Sequence, residues 1–251
     1  YHLLIRLKII LKGKSNFSVD ELPKRLKRVF DEVILHKKVV SGNRKSAGVL
    51  HALVMYGFIF FGLITINHFG MAFGLPIFSD SIRHTYFLFF GAPWAILCSI
   101  GILGLAYRRF VIKPEALGKF SSTSAIVSVF IVTLMVTYLI DEFHILSGTA
   151  EKFNWWLHSG VIGGFLFLIP QSKHMHLVLS PFNIFLRPFE VPSHGAIPID
   201  MEASEEELDN LLLDLSRLSK DQALDIFTCV ECGRCTDVCP ANRGGGILDP
   251  K

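Results

Sequence analysis

The chain has 251 residues, 51% hydrophobic and 19% charged, with a mean hydropathy of +0.44 and a formal net charge of +3. Soluble domains carry about 25% charged residues, so the composition argues for a membrane protein, and so small a net charge leaves no footprint for nucleic acid. Five cysteines, four of them between 229 and 239, argue against a secreted disulfide framework and for metal ligation in a reducing compartment.

Residues 1–46 hold twelve Lys and Arg against four acidic residues. They lack a signal-peptide pattern, because the short apolar run is broken by Arg6 and Lys8. An opening at Tyr1 instead of Met leads us to expect a fragment, open at both ends. Leu22, Leu26, Val29, Phe30, Val33 and Ile34 recur at helical spacing, with Asp20 as a cap and Lys24, Arg25, Lys27 and Arg28 between them. The pattern predicts a basic amphipathic helix, lying either on a membrane surface or against the domain that follows.

Four weakly charged stretches come next, at about Ala47–Phe69, Thr85–Tyr107, Thr123–Leu146 and Trp155–Ser172. Each approaches the ~20 residues that a helix needs to cross a bilayer. The expected fold is therefore all-α, a polytopic bundle of four transmembrane helices over 47–176 with a C-terminal ferredoxin-like segment. Twelve Lys and Arg precede the first span, Arg83 alone separates the first two, four (Arg108, Arg109, Lys113, Lys119) follow the second, and Lys152 precedes the last. The positive-inside rule then puts both ends of the chain and the 107–122 loop in the cytoplasm, in a cell's inner or plasma membrane. Trp155 and Trp156 open the last span at the outer interface. Absence of an internal repeat argues against a transporter.

Beyond Ser172, Pro181, Pro188, Pro192 and Pro198 punctuate an apolar-aromatic stretch, read as an interfacial connector over 177–203 that cannot form a long helix. Ser204 and Glu207 then make a capping box that begins a helix with apolar positions Leu208, Leu211, Leu212, Leu215 and Leu218. Residues 204–251 read as the start of a cytoplasmic iron–sulfur domain.

That domain carries Cys229-Val-Glu-Cys232-Gly-Arg-Cys235-Thr-Asp-Val-Cys239-Pro240. The spacing C-x2-C-x2-C-x3-C-P is the ferredoxin run for [4Fe–4S] clusters: three thiolates hold one cluster and the fourth reaches toward a second. Gly233 lets the backbone approach the inorganic sulfides, and Pro240 turns the chain away. A second run to complete the set does not follow before Lys251, so the domain is expected to continue, or a partner to supply ligands. Cys98, alone in the second span, reads as core packing.

Of ten histidines, five are candidate haem b ligands: His51, His176, His158, His68 and His174. Haem in a membrane is commonly held by two imidazoles from different helices at one depth. His51 matches His176 at the cytoplasmic side, and His68 matches His158 at the outer side, with His144 as an alternative outer partner. His158 and His176 are 18 residues apart, five helical turns, and would share a face unless Pro170 spoils the phase. One haem is expected on His51 and His176; a second would fall on His158 with His68. His2, His36, His84 and His194 offer no such pattern.

With these residues in view, the helical part resembles the membrane domain of the respiratory nitrate reductase gamma subunit, a dihaem cytochrome b. Ile169-Pro-Gln-Ser-Lys-His-Met-His176, the following Pro-Phe-Asn-Ile-Phe and Thr228-Cys-Val-Glu-Cys-Gly-Arg-Cys235 are similar to heterodisulfide reductase-related membrane iron–sulfur oxidoreductases, among them proteins proposed as electron-transfer flavoprotein:menaquinone oxidoreductases. The resemblance implies a further span before Tyr1, and a second cluster motif with cysteine-rich domains after Lys251. One departure stands out: the nitrate reductase pattern places a second histidine ten residues after the first, where this chain has Phe61.

What the resemblance implies is a quinone-linked oxidoreductase subunit, passing electrons between a cytoplasmic partner such as an electron-transfer flavoprotein, the cluster, haem b and a membrane quinone, with menaquinone reduced. The alternative is a non-catalytic, membrane-anchored redox-sensing or assembly module.

Overall fold

A computed structural model of the chain describes residues 2–13, 19–41, 44–118, 120–189, 204 and 218–247. Among them it is entirely helical, without a strand. The helix expected after Ser204 lies outside the described residues.

The chain divides into two compact units, each assembled from separated segments. The first comprises Tyr1–Leu35 and Leu168–Val230; the second comprises His36–Phe167 and Glu231–Lys251.

In the first unit, α1 (His2–Lys12), α9 (His176–Leu186) and α10 (Lys220–Thr228) pack around Ile10, Met175, Leu179, Ala223 and Leu224, and α2 (Leu22–Val29) packs on α9. α2 runs on into a π-turn at Phe30–Ile34. It starts from Glu21 in the left-handed region, with no side-chain cap, so the expected cap by Asp20 does not form. Asp20 instead offers its carbonyl to Arg25 Nε at 2.7 Å. Arg25 is 3% exposed and also donates to Phe185 O (2.7 Å) and Arg187 O (3.2 Å), satisfying carbonyls at the end of α9 that lack helical partners. Arg28 stacks on the Phe189 ring and donates to Arg187 O. The basic residues expected only to face outward therefore include two that hold α9, while Leu22, Leu26 and Phe30 keep an exposed apolar stripe. The start of the proline-rich stretch is also more regular than expected. α9 is an 11-residue helix with Pro181 inside it, following a 3-10 turn at Lys173–Met175.

In the second unit, α4 (Lys45–Ala72), the run from α5 (Asp80–Tyr86) through α6 (Ala92–Tyr107), and α7 (Ser122–Glu142) include three segments long and apolar enough to cross a membrane. These are Lys45–Met71, Ser81–Ile112 and Ser122–Glu142, and no more than 28% of the residues in their apolar windows are buried, so most of that apolar surface faces outward. The fourth expected span is α8 (Thr149–Gln171), a helix of 23 residues that is long enough but, with Asn154, His158 and Gln171, less apolar than the other three. α6 packs between α4 and α7 around Phe87, Ala95, Cys98, Met135 and Tyr138. Small residues permit the approach. A Cβ on Gly57 would meet Cys98 Cβ at 2.7 Å, and one on Gly101 would meet Leu50 O at 2.8 Å. Cys98 is thus a core residue, as expected. π-turns at Phe87–Gly91 and Arg108–Ile112 interrupt the second span.

A short helix, α3 (Lys37–Val40), precedes α4 and packs on its first turn. Gly48 permits this, since a Cβ there would lie 2.8 Å from Val39 C and 2.9 Å from Val40 Cα. The same unit contains α11 (Arg234–Val238) and α12 (Pro240–Arg243).

Candidate functional site

The cysteine run begins where α10 ends. Ser219 and Gln222 form a capping box at the start of that helix, and Cys229 leaves it with extended backbone. Glu231 (φ 52°) and Gly233 (φ 74°) then turn the chain through the left-handed region before α11, which carries Cys235. Pro240 follows Cys239 at the first position of α12, where its missing N–H costs nothing. All four thiols are outside disulfides; those of 229, 232 and 235 are exposed and that of 239 partly so. Among the described residues, no three His, Cys, Asp or Glu side chains gather into a ready-made metal site. The donor set nevertheless fits a cluster: soft thiols, uncommitted to other bonds, on a loop bent twice by left-handed residues.

Two arginines tie this loop to the N-terminal end of α4. Arg44 donates to Cys232 O and Gly233 O and pairs with the Asp237 carboxylate, its side chain 16% exposed. Arg234 donates to Lys38 O (2.7 Å) and Val39 O, at the end of α3. Arg108 lies within electrostatic reach of both Arg44 and Asp237. Sequence reasoning passed over these residues, because a loop arginine announces no partner.

His51 sits two turns into α4, and its Nδ1 is 3.3 Å from Nε2 of His36. The two rings stack with centroids 5.4 Å apart and planes 23° apart. His36, set aside in the sequence, is 6% exposed and held at φ 52°. Nothing in a 15-residue separation predicts their meeting.

His158 and His68 both lie in the second unit, with His68 within electrostatic reach of His158. Nδ1 of His158 is 2.7 Å from Thr137 Oγ1. That hydroxyl gives its own proton to Thr133 O, also at 2.7 Å, so the imidazole is the donor. Nε2 of His158 then carries the lone pair that a metal requires. Asn154, 5% exposed, supports the arrangement by donating to Thr137 O.

His176 opens α9 with Nδ1 3.0 Å from Lys173 O. A carbonyl can only accept, so here too the lone pair is on Nε2. His174 has the opposite preference. Ser172 Oγ accepts from His174 N–H and faces its Nδ1 at 3.2 Å, with a hydroxyl proton to give. Burial, with His176 and Lys173 adding to it, pushes His174 down to about 4. The geometry favours His176 over His174 as a ligand. The five-turn count from His158 to His176 does not hold, because α8 ends at Gln171 and Ser172 is extended (φ −123°, ψ 174°). Pro170 near the end of α8 and the Ser172 cap explain the break. His51 and His176 belong to different units.

At the far end of α4, His68 lines a narrow cleft with Ile64, Asn67, Phe78, Arg83, Tyr86, Tyr138 and Glu142, its enclosed space of about 10 Å³ no larger than one water needs. Asn67 is 1% exposed and accepts from Ile77 N and Phe78 N, fixing the wall formed by the turn after α4. Tyr86 donates to Phe60 O. A guanidinium, a carboxylate, an imidazole and two phenols thus share one cleft. In the sequence Arg83 reads only as the charge between the first two spans. His144, the alternative outer partner, sits beyond α7 at φ 50°, within electrostatic reach of Glu142.

The chain is similar to two curated proteins. One is the "Probable iron-sulfur-binding oxidoreductase FadF" of Bacillus subtilis (strain 168), 30% identical over 282 aligned positions that cover 100% of this chain and 39% of that protein. The other is the "EtfAB:quinone oxidoreductase" of Syntrophomonas wolfei subsp. wolfei (strain DSM 2245B / Goettingen), 24% identical over 289 positions that cover 97% and 38%. The chain spans about two fifths of the length of these relatives. No protein-family model and no solved structure matches it.

Proposed function

We propose that this chain is the membrane portion of an iron–sulfur oxidoreductase that passes electrons between a cytoplasmic partner and a membrane quinone, with menaquinone as the quinone reduced. The observation that carries this reading is the C-x2-C-x2-C-x3-C-P run, whose loop is tied by Arg44 and Arg234 to the helix end that leads to His51. The names of the two relatives support it: one is a probable iron–sulfur-binding oxidoreductase, the other an EtfAB:quinone oxidoreductase. The corresponding donor here is an electron-transfer flavoprotein or a similar redox subunit.

In this reading Cys229, Cys232 and Cys235 hold three corners of a [4Fe–4S] cluster, and Cys239 reaches toward a second cluster completed from outside these residues. His51 and His176 would hold haem b at the cytoplasmic side; Lys173 O accepts from His176 Nδ1, which leaves the lone pair on Nε2, and His36 stacks beside His51. His158 with His68 would hold a second haem at the outer side, oriented by Thr137. A haem held this way supplies a one-electron carrier within the bilayer. Glu142 beside His68 would offer a carboxyl to give or take a proton when a quinone at this end of the bundle changes redox state, with Arg83 a fixed cation next to it. α8 makes the fourth crossing, α2 lays Leu22, Leu26 and Phe30 on the cytoplasmic membrane surface, and both ends of the chain are cytoplasmic.

The test is spectroscopic, on the full-length protein in membranes. A reduced b-type band that responds to a quinol analogue, with a [4Fe–4S] resonance, is expected. His51→Ala and His176→Ala should each abolish the same haem band. Full haem content in both variants refutes the ligand assignment, and a cluster without haem favours a redox sensor.

A further inference from the structure

We infer that Arg44 is the positioning residue of the cysteine loop, the joint through which the cluster is presented to the membrane helices. The proposal rests on the cluster-binding reading of that loop, but its geometry does not. Arg44 immediately precedes α4 and spends its guanidinium on three acceptors of one short segment: Cys232 O, Gly233 O and the Asp237 carboxylate. Cys232 and Gly233 lie between the first and third thiols, where a backbone displacement moves the ligands themselves. From the other side Arg234, next to Cys235, grips Lys38 O and Val39 O. Those carbonyls belong to α3, which is seated on α4 at Gly48, one turn before His51. The path from thiol loop to candidate haem ligand is thus a short series of packed backbone segments crossed by two opposed arginine grips.

Each grip is charge-assisted, and such hydrogen bonds exceed neutral ones. A planar guanidinium also binds carbonyl and carboxylate together in a way that an ammonium does not. The Arg44–Asp237 pair is electrostatic as well as mechanical. A cation beside the loop favours the reduced, more negative cluster, and Asp237 moderates it. Arg44→Gln, which leaves Asp237 in place, should therefore lower the cluster's reduction potential.

The experiment uses the full-length protein in lipid nanodiscs with Arg44→Gln, Arg44→Asp, and Arg44→Asp combined with Asp237→Arg. Hydrogen exchange is followed over 231–239, together with the cluster's resonance and redox titration. Arg44→Asp is expected to speed exchange over 231–239 by roughly tenfold or more, the loss of its hydrogen bonds to Cys232 O, Gly233 O and Asp237, with exchange in α4–α7 unaltered. The reversed pair should stay faster than wild type, because a carboxylate at 44 cannot donate to the two carbonyls, and Arg44→Gln should shift the titration downward. Wild-type exchange in Arg44→Asp, or full recovery in the reversed pair, overturns the joint. If Arg44→Asp does not fold, Arg234→Gln reads the opposite grip by the same exchange. A wild-type protein lacking the cluster resonance would sink the cluster reading and the electron-transfer role with it, while the exchange result still decides whether the joint exists.

Discussion

Gly48→Ala probes the seat of α3 on α4. In an unobstructed helix this exchange stabilises by about 1 kcal/mol, since alanine is the better helix former. At Gly48, however, the new Cβ would overlap Val39 O and lie 2.8 Å from Val39 C and 2.9 Å from Val40 Cα. These are backbone atoms of α3, held by Val39 N–H and Val40 N–H donating to His36 O, and they cannot rotate aside. Overpacking against such neighbours costs about 1–3 kcal/mol, and with three backbone atoms inside 3 Å the upper half of that range applies, leaving a net loss of about 1–2 kcal/mol. Hydrogen exchange should show it as roughly five- to thirtyfold faster exchange of the α3 amides, at a factor of ten per 1.4 kcal/mol. Because Arg234 grips α3, exchange over 231–239 should rise in parallel. Gly62→Ala on the same helix is the control: a Cβ there meets nothing within 4 Å, so the change should be neutral or stabilising. If Gly48→Ala behaves like Gly62→Ala, the packing of α3 on α4 is wrong.

Two further outcomes accompany those for the haem ligands and the arginine joint. Thr137→Val removes the acceptor that orients His158, a loss of about 1 kcal/mol; if His158 holds a haem as proposed, the variant should alter one b-type band and leave any other unchanged, and a spectrum identical to wild type would refute that role. Arg25→Ala strips donors from Phe185 O and Arg187 O at a 3% exposed position and should weaken the first unit by about 2–4 kcal/mol, seen as faster proteolysis near the end of α9; an unchanged digestion pattern would show that α9 is held by other means.

The first span was readable because an uncharged apolar run has few alternatives in lipid, and α4 runs from Lys45 to Ala72 around the expected Ala47–Phe69. The cysteine motif was readable because its spacing is chemistry. The partnerships were not. His36 reaches His51 through a left-handed residue and a short helix, and neither leaves a periodic trace. Arg44 and Arg234 find acceptors nearly two hundred positions away, and those acceptors are carbonyls, present at every residue. The Asp20 cap failed because Glu21 enters the left-handed region just before the helix, a backbone choice that side-chain pattern does not encode. Counting helical turns from His158 to His176 failed because the count presumes continuity, and the chain breaks at Ser172.

The π-turn at Phe87–Gly91 has a mechanical consequence for the second span. One extra residue in a turn rotates everything before it by about 100° relative to everything after. Arg83 and Tyr86, in the cleft, are therefore out of phase with Ala95 and Cys98, the seam against α4 and α7. A single helix is divided into two angular sectors. A substitution at Arg83 therefore falls outside the small-residue seam, whereas Tyr86, bonded to Phe60 O, still ties this end of the helix to α4.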